Sequence, residues 1–197
     1  WYEGLDGWLF LGNAYDQTVA KSKLSIVPSA SQINGLKRSF SEVSMIAEKS
    51  DIKLALIVGP NKSSVYEEKL PEEISLSPTR YVNFFLEELS DISNLVIYDP
   101  IKDFKDIKES EGLLYYKTDT HWNDKGAYIA FRNLLLKLEL EPLNVNFSLG
   151  ESVGGDLISI SKMKDISLAD NDRWLPEINH THKLIRTNDD DFSSSNY

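Results

Sequence analysis

Two residues of this sequence, Asp119 and His121, have the types and the spacing of an acid–histidine pair. Side chains at positions i and i+2 of an extended segment point to the same side, so the carboxylate of Asp119 can accept a hydrogen bond from the His121 ring. Such a bond leaves the other ring nitrogen free to act as a base for a nucleophile. Acid–histidine pairs also occur in purely structural roles, and the tripeptide alone leaves both alternatives open.

The residues after this pair predict where it lies in the fold. Asn123 or Asp124 is expected to cap a helix, because either side chain can accept hydrogen bonds from the first free amides. His121 is therefore predicted at a strand-to-helix junction, a common place for functional residues. The apolar stripe of the predicted helix comprises Ala127, Phe131, Leu134, Leu135 and Leu138.

The rest of the chain alternates apolar strands with amphipathic helices, which predicts an α/β fold with a mainly parallel sheet flanked by helices. The apolar run 53–58 is predicted as a central strand and 95–98 as the next. Short strands are also expected at 5–11 and 113–116. The predicted helices cover 29–50, 79–92 and 101–108, and the first has a core stripe at Ile33, Leu36, Phe40, Val43 and Ala47.

Polar residues follow the first predicted central strand directly, in the segment G-P-N-K at 59–62. Ligands gather at the carboxyl ends of parallel strands. Asn61 is therefore a candidate to donate a hydrogen bond to an oxyanion, and Lys62 a candidate to bind a carboxylate or a sugar hydroxyl. A polar turn before a helix is the alternative. In the functional interpretation Asn61 must lie near His121.

The string Y-Y-K-T-D-T-H-W-N-x-x-G-A, which begins at Tyr115, resembles the signature of a known family. It is similar to the SGNH-hydrolase-like domain of the alginate O-acetyltransferase family, of the AlgJ and AlgX type. The segments G-L-D-G-W-L-F-L at 4–11 and G-P-N-K agree with this resemblance, which spans most of residues 1–160. It implies an SGNH-hydrolase-like fold in which Asp119 orients His121, and His121 is the base for a serine later in the chain.

The resemblance also implies a reaction, the O-acetylation of an exported or cell-surface polysaccharide. The expected partners are a polysaccharide or oligosaccharide acceptor and an acetyl donor supplied by a membrane protein, and no metal or other cofactor is implied. Tyr115, Tyr116 and Trp122 are candidates for an aromatic floor under a sugar ring, with core packing as the alternative. Two other functions stay open: a carbohydrate esterase that uses the same triad, and an inactive module for polysaccharide binding or assembly.

The nucleophilic serine is the part of the signature that we do not recognise, since we identify no G-x-S-type turn behind a hydrophobic strand. The serines at 193–195 lie in a polar, acidic end. We therefore expect the serine beyond residue 197 and expect this chain alone to be inactive, with loss of catalysis as the alternative. The domain is accordingly predicted at 1–187, incomplete at its C-terminus, with a polar tail at 188–197.

Composition limits the other function classes. A net charge of −10 argues against nucleic acid and anionic membrane surfaces as partners. With no cysteine, a thiolate nucleophile, a disulfide and a zinc–thiolate site are excluded. No apolar run is long enough to span a membrane. The chain is expected to act in the periplasm or outside the cell, and both ends leave room for a secretion signal or membrane anchor.

Two further motifs in the C-terminal part were considered for ligand binding. Gly154-Gly155-Asp156 is predicted as a loop entering a short helix, and a phosphate loop is rejected because no G-K-S/T follows. His180 and His182 are predicted to be solvated, because two histidines without a third ligand make a poor metal site.

Overall fold

The computed structural model describes residues 1–162 and 172–177. His180, His182 and the predicted boundary at 187 lie outside these residues. None of the described helices is long and apolar enough to cross a membrane. The helices are α1 Thr18–Ser22, α2 Ala30–Lys49, α3 Lys62–Val65, α4 Asn83–Leu89, α5 Ile101–Glu111, α6 Asp124–Lys137 and α7 Asp156–Ser161. The strands are β1 Tyr2–Glu3, β2 Leu9–Phe10, β3 Leu54–Ile57, β4 Leu95–Tyr98, β5 Asn146–Leu149 and β6 Trp174–Glu177.

The described strands form three two-stranded sheets. β3 and β4 are parallel, with Ala55 opposite Val96, and the connection between them contains α3 and α4. Such a crossover is what a parallel pair requires. β1 with β2 and β5 with β6 are antiparallel. The predicted α/β class and the two central strands are thus present, but the parallel sheet of the described chain consists of a single pair.

Helix α2 begins where the sequence places it. Ser29 is the N-cap, and its side chain and that of Gln32 form a reciprocal capping box. The predicted stripe is only partly buried: Ala47 is buried, whereas the side chain of Val43 is 50% exposed. Because α2 packs against the short helix α4, only a narrow strip of its surface is covered.

The predicted strand at 5–11 is interrupted. A 3-10 turn occupies Leu5–Gly7, and both Asp6 and Gly7 have positive φ, at 54° and 76°. This left-handed backbone ends any extended run, and only β2 continues as a strand. Trp8 and Phe10 nevertheless share one face as expected, with both side chains buried and the two ring centroids 6.1 Å apart.

The predicted strand at 113–116 is also wrong, since it is reduced to one bridge between Tyr115 and Trp122. The helix that follows is confirmed as α6, with Asn123 as its N-cap and the Asn123 Oδ1 accepting from the Gly126 amide at 2.9 Å. Asn123 also donates from Nδ2 to the carbonyls of Leu113 and Asp172. The buried face of α6 comprises Gly126, Ile129, Ala130 and Leu134, so Leu134 is the one member of the predicted stripe that is buried.

The hydrophobic core lies beneath the segment that carries the acid–histidine pair. Within it, Tyr115 packs edge to face against Tyr66 and Phe104, at centroid distances of 6.1 and 6.2 Å. Tyr115 is buried, and its hydroxyl donates to the carbonyl of Pro60. The core therefore ties the end of β3 to the segment entering α6.

Candidate active site

The acid–histidine pair lies in an irregular segment between Tyr115 and α6, which we call the acid–histidine loop, residues 116–121. The Asp119 and His121 side chains are joined as predicted, with the carboxylate Oδ1 2.7 Å from the ring Nδ1. The same oxygen accepts from the His121 backbone amide at 2.9 Å. The carboxylate therefore fixes both the backbone and the ring of the histidine.

This hydrogen bond assigns the roles of the two ring nitrogens. A carboxylate only accepts hydrogen bonds, so His121 Nδ1 carries the hydrogen and Nε2 is left as the basic nitrogen. The His121 side chain is 76% exposed, whereas the Asp119 side chain is 21% exposed. No hydrogen-bond partner of Nε2 occurs within 1–162 or 172–177. A base nitrogen thus faces outward from an anchored ring.

A second carboxylate supports the pair from the start of α7. The Asp156 amide donates to Asp119 Oδ2 at 2.9 Å. The Asp156 carboxylate accepts from Thr120 twice, from its amide at 2.8 Å and from its hydroxyl at 2.6 Å. Its Oδ2 lies 3.9 Å from His121 Nδ1. The Gly155–Asp156 step, rejected as a phosphate loop, instead holds the acid–histidine loop, and no sequence signal relates these distant residues.

Three potential ligand atoms, from Asp119, His121 and Asp156, lie within 4.8 Å of one another in the described residues. Two carboxylates and an imidazole nitrogen could hold a divalent cation. All three groups are already used in the hydrogen bonds that join them to each other and to Thr120. We therefore interpret the group as a hydrogen-bond network that orients the histidine.

The ionisation of Asp119 is coupled to folding. Burial raises its pKa, but hydrogen bonds from the Asp156 amide and from the His121 amide and ring outweigh burial and hold the pKa below the usual range. A carboxyl whose folded pKa is lowered stabilises the fold above its unfolded pKa, near pH 4, and loses that contribution as pH falls through the folded pKa.

We therefore expect Asp119→Asn to destabilise the chain at pH 6 and to do so less at pH 3, below the unfolded pKa. Asparagine cannot supply the charged acceptor, whose contribution to stability is complete at pH 6 and declines once the pH falls below the unfolded pKa. Urea unfolding of both proteins at the two pH values measures this gap. Asp91→Asn, at an exposed acid outside the loop, controls for loss of one negative charge. A gap that is the same at both pH values would contradict the prediction.

Of the other predicted site residues, Asn61 and Tyr116 are accessible to solvent, whereas Lys62 is buried. Asn61 is exposed before α3 and lines a small cavity together with Thr120, so it lies near the acid–histidine loop. Tyr116 is half-buried. Lys62 is only 5% exposed, and its ammonium binds backbone carbonyls of the loop. Its predicted contact with a carboxylate or sugar hydroxyl is therefore not supported by its position.

The predicted aromatic floor is also largely a part of the core. Trp122 is half-buried, and its ring packs edge to face on Phe104 at 6.0 Å between centroids. Tyr115 is fully buried beneath the loop. Of the three aromatic residues only Tyr116 is neither buried nor part of an aromatic pair among the described residues.

The expectation that no G-x-S segment follows a strand needs correction. Gly150-Glu151-Ser152 has this spacing and comes directly after β5. The Ser152 hydroxyl donates to Asp172 Oδ1 at 2.6 Å and makes no hydrogen bond to His121. β5 is mostly exposed and pairs only with β6 among the described strands. This serine therefore does not complete a triad with Asp119 and His121 in the described structure.

An α/β fold with an oriented acid–histidine pair beyond a parallel strand pair is of the SGNH-hydrolase-like class. The family model described as "SGNH hydrolase-like domain, acetyltransferase AlgX" matches residues 2–148, and the chain belongs to this family. The family and fold predicted from the signature around Asp119 and His121 are thus confirmed.

Solved structures show the same fold. The O-acetyltransferase domain of Pseudomonas putida AlgJ is similar with a TM-score of 0.57 and 20% identity, over 89% of this chain and 65% of that one. Bacillus cereus PatB1 is similar with a TM-score of 0.53 and 17% identity, over 76% and 52% of the two chains. PatB1 with a sulfonyl adduct gives 0.57 and 18%, over 75% and 50%. No curated protein sequence matches this chain.

Proposed function

We propose that this chain carries the acid–histidine part of a polysaccharide O-acetyltransferase. The observation that carries the proposal is the 2.7 Å hydrogen bond between Asp119 and His121 Nδ1, in a chain of the acetyltransferase AlgX family. The chain spans 65% of the AlgJ domain and about half of PatB1, so the activity concerns the full-length protein. The protein acts in the periplasm or outside the cell, where its polysaccharide acceptor is found.

In this mechanism Asp119 orients the ring and His121 Nε2 takes the proton from a serine hydroxyl. The serine attacks the carbonyl carbon of an acetyl donor, and the leaving group receives the proton as an acetyl-serine forms. His121 then takes a proton from an acceptor hydroxyl as that oxygen attacks the acetyl-serine, and returns the proton to the serine oxygen when the bond between the serine and the acetyl group breaks. We place this serine outside the described residues, and the acetyl donor is supplied by a membrane protein.

A cleft extending from Asn61 is the proposed acceptor site. It has a volume of about 640 Å³, and its lining includes Gly59, Asn61, Arg80 and Tyr81. Asn61 also lines the cavity that contains Thr120, which links the cleft to the acid–histidine loop. Tyr81 supplies an aromatic face, and Asn61 a side-chain amide for a sugar hydroxyl or for the oxyanion.

The charges of this cleft favour a neutral acceptor. Each of its basic side chains is paired with an acid of this chain, as Arg80 is with Asp99 and Lys105 with Glu67. Lys21 and Lys102 are paired in the same way. Paired cations are poor partners for the carboxylates of a polyanionic glycan, and the net charge of −10 acts in the same direction.

The exposed ring of His121 also favours a second candidate, a carbohydrate esterase that passes the acetyl group to water. Both reactions use the same acetyl-serine. The test is turnover of an activated acetyl ester by the full-length protein with and without a neutral oligosaccharide. Acceptor-dependent formation of an acetylated sugar supports the transferase, and release of acetate alone at every acceptor concentration supports the esterase.

A sulfonyl fluoride locates the nucleophile independently of the acceptor. We expect peptide mapping of the full-length protein to find one labelled serine outside residues 1–162 and 172–177, and His121→Ala to abolish the labelling. Labelling of Ser152 would instead show that the nucleophile lies within the described chain. No labelling and no acetyl transfer would favour a binding module that lacks catalysis.

The acceptor site has its own test. We expect Tyr81→Ala to raise the KM for the oligosaccharide acceptor by about fivefold, because stacking on an aromatic face contributes on the order of 1 kcal/mol. Hydrolysis of a small acetyl ester should not change. Phe131→Ala removes an aromatic side chain that is 55% exposed on α6 and does not line the cleft, which makes it the matched control. An unchanged acceptor KM in Tyr81→Ala would place the acceptor elsewhere.

A further inference from the structure

We propose that Lys62 is a positioning residue that holds the acid–histidine loop in its reactive conformation. Its catalytic consequence rests on the proposed function, in which Asp119 and His121 act together on a serine. The contacts of Lys62 that carry the proposal are structural and can be measured without activity.

The ammonium of Lys62 binds three carbonyl oxygens of the loop. Nζ donates to Tyr116 at 3.0 Å, to Lys117 at 2.9 Å and to Asp119 at 2.6 Å. An ammonium has three N–H donors and no acceptor, so these bonds use its whole capacity. One side chain from α3 therefore fixes three points of a segment that lies more than fifty residues later in the sequence.

The surroundings of Lys62 show that the ammonium is enclosed. Its Nζ lies 5.5 Å from the centroid of the Trp8 ring and 5.2 Å from that of Phe10, and the residue is 5% exposed. Burying a cation is costly unless its hydrogen bonds are made. Burial lowers the pKa of Lys62 to about 7, and the charged groups that oppose this lowering are three carboxylates, those of Asp119, Asp156 and Asp172.

The loop needs such a partner because its backbone is not part of an extended ladder. Only the bridge between Tyr115 and Trp122 pairs it within the described sheet structure. The Thr118 carbonyl accepts from the Leu157 amide of α7 at 3.1 Å and the Lys117 carbonyl from the Leu9 amide of β2 at 2.9 Å, so α7 and β2 hold the middle of the loop together with Lys62. Buried carbonyls without a donor are disfavoured, and loss of the ammonium would remove the donor from the Tyr116 and Asp119 carbonyls, which would then turn toward water.

The test is Lys62→Met, which keeps the length and apolar stem of the side chain and removes its donors. We expect the amides of Thr120 and His121 to exchange with solvent at least about tenfold faster, because both amides belong to the released loop and their hydrogen bonds to Asp156 and Asp119 depend on its position. In the full-length protein kcat should fall by about 10²-fold with KM unchanged, as expected for displacement of catalytic groups by about 1 Å.

Lys108→Met is the matched control. Lys108 is half-buried, with its Nζ 5.0 Å from the Tyr66 ring centroid and 2.8 Å from the carbonyl of Val65, and it pairs with Glu68 rather than with the loop. This variant should leave exchange at Thr120 and His121 unchanged. Lys62→Arg, which keeps a charged donor group, should restore part of the protection.

A pH readout separates positioning from general packing. A neutral amine has two N–H donors for three carbonyls, so kcat should fall as pH rises through the Lys62 pKa, and Lys62→Arg should move this fall to higher pH. If Lys62→Met does not fold, the carbonyl ¹³C shifts of Tyr116, Lys117 and Asp119 in the wild-type chain carry the test. They should titrate together with Lys62.

Unchanged exchange at Thr120 and His121 in a folded Lys62→Met, or equal loosening in Lys108→Met, would overturn the proposal. Carbonyl shifts that do not titrate with Lys62 would do the same. A wild-type full-length protein without acetyl transfer would refute the proposed function, and the exchange experiment would still decide the role of Lys62.

Discussion

We expect His121→Ala to lower kcat/KM for acetyl transfer by the full-length protein by at least about 10⁴-fold, the scale seen when a triad member is removed. The ring presents a basic nitrogen to solvent, since Asp119 engages Nδ1 and leaves Nε2 free. Alanine removes that nitrogen. Asp156 cannot take over as the base, because its carboxylate is bound to Thr120.

The fold should tolerate this change, because the imidazole is mostly exposed and makes no core contact. Far-UV circular dichroism and the urea midpoint of His121→Ala should therefore match the wild type within small differences. His180→Ala removes another histidine of the chain and is the matched control for loss of an imidazole. Activity that survives in His121→Ala would remove the central residue from the proposed mechanism.

The sequence predicts the site well where the relevant contacts are local. The bond between Asp119 and His121 follows from their i, i+2 spacing, and the Asn123 cap of α6 follows from a side chain acting three residues along. Such rules depend only on backbone geometry within one turn or one extended step. They hold here although the expected strand before the pair is absent.

The sequence fails where distant segments meet. The position of Lys62 after β3, at the carboxyl end, predicts a contact with a ligand, yet its ammonium binds the Asp119 carbonyl, 57 residues away in sequence. Nothing in the composition of residues 59–62 distinguishes a lysine that faces solvent from one that turns inward. Asp156 was missed for the same reason, since its partner Thr120 is 36 residues away.

The buried faces of the helices show a related limit. The stripe of α2 satisfies helical periodicity, but periodicity says only which residues share a face and not how much of that face a neighbour covers. Val43 is exposed for this reason. In α6, Ala130 is buried and Phe131 is not, because β6 and the core cover the side of the helix that carries Ala130.

A substitution at Gly155, where α7 comes closest to the acid–histidine loop, is also expected to have a large effect. We expect Gly155→Ala to lower kcat of the full-length protein by about 10²-fold and to destabilise the chain by about 1–3 kcal/mol. A Cβ at this position would lie 2.5 Å from the Asp119 Cβ and 2.5 Å from the Thr118 carbonyl oxygen. Both are much closer than a carbon atom can approach, and neither belongs to the flexible end of a side chain.

The strain of Gly155→Ala therefore has to move either α7 or the acid–histidine loop. Either shift separates the Asp156 amide from the Asp119 carboxylate, which now lie within a 2.9 Å hydrogen bond, and so frees the carboxylate that orients His121. Gly35→Ala is the matched control, because a Cβ there meets nothing within 4 Å and alanine in the middle of α2 should stabilise the chain by up to about 1 kcal/mol. Urea unfolding and acetyl-transfer rates of the two variants separate the outcomes. If Gly155→Ala kept wild-type kcat while Gly35→Ala behaved as expected, the close contact of α7 with the loop would not be what positions His121.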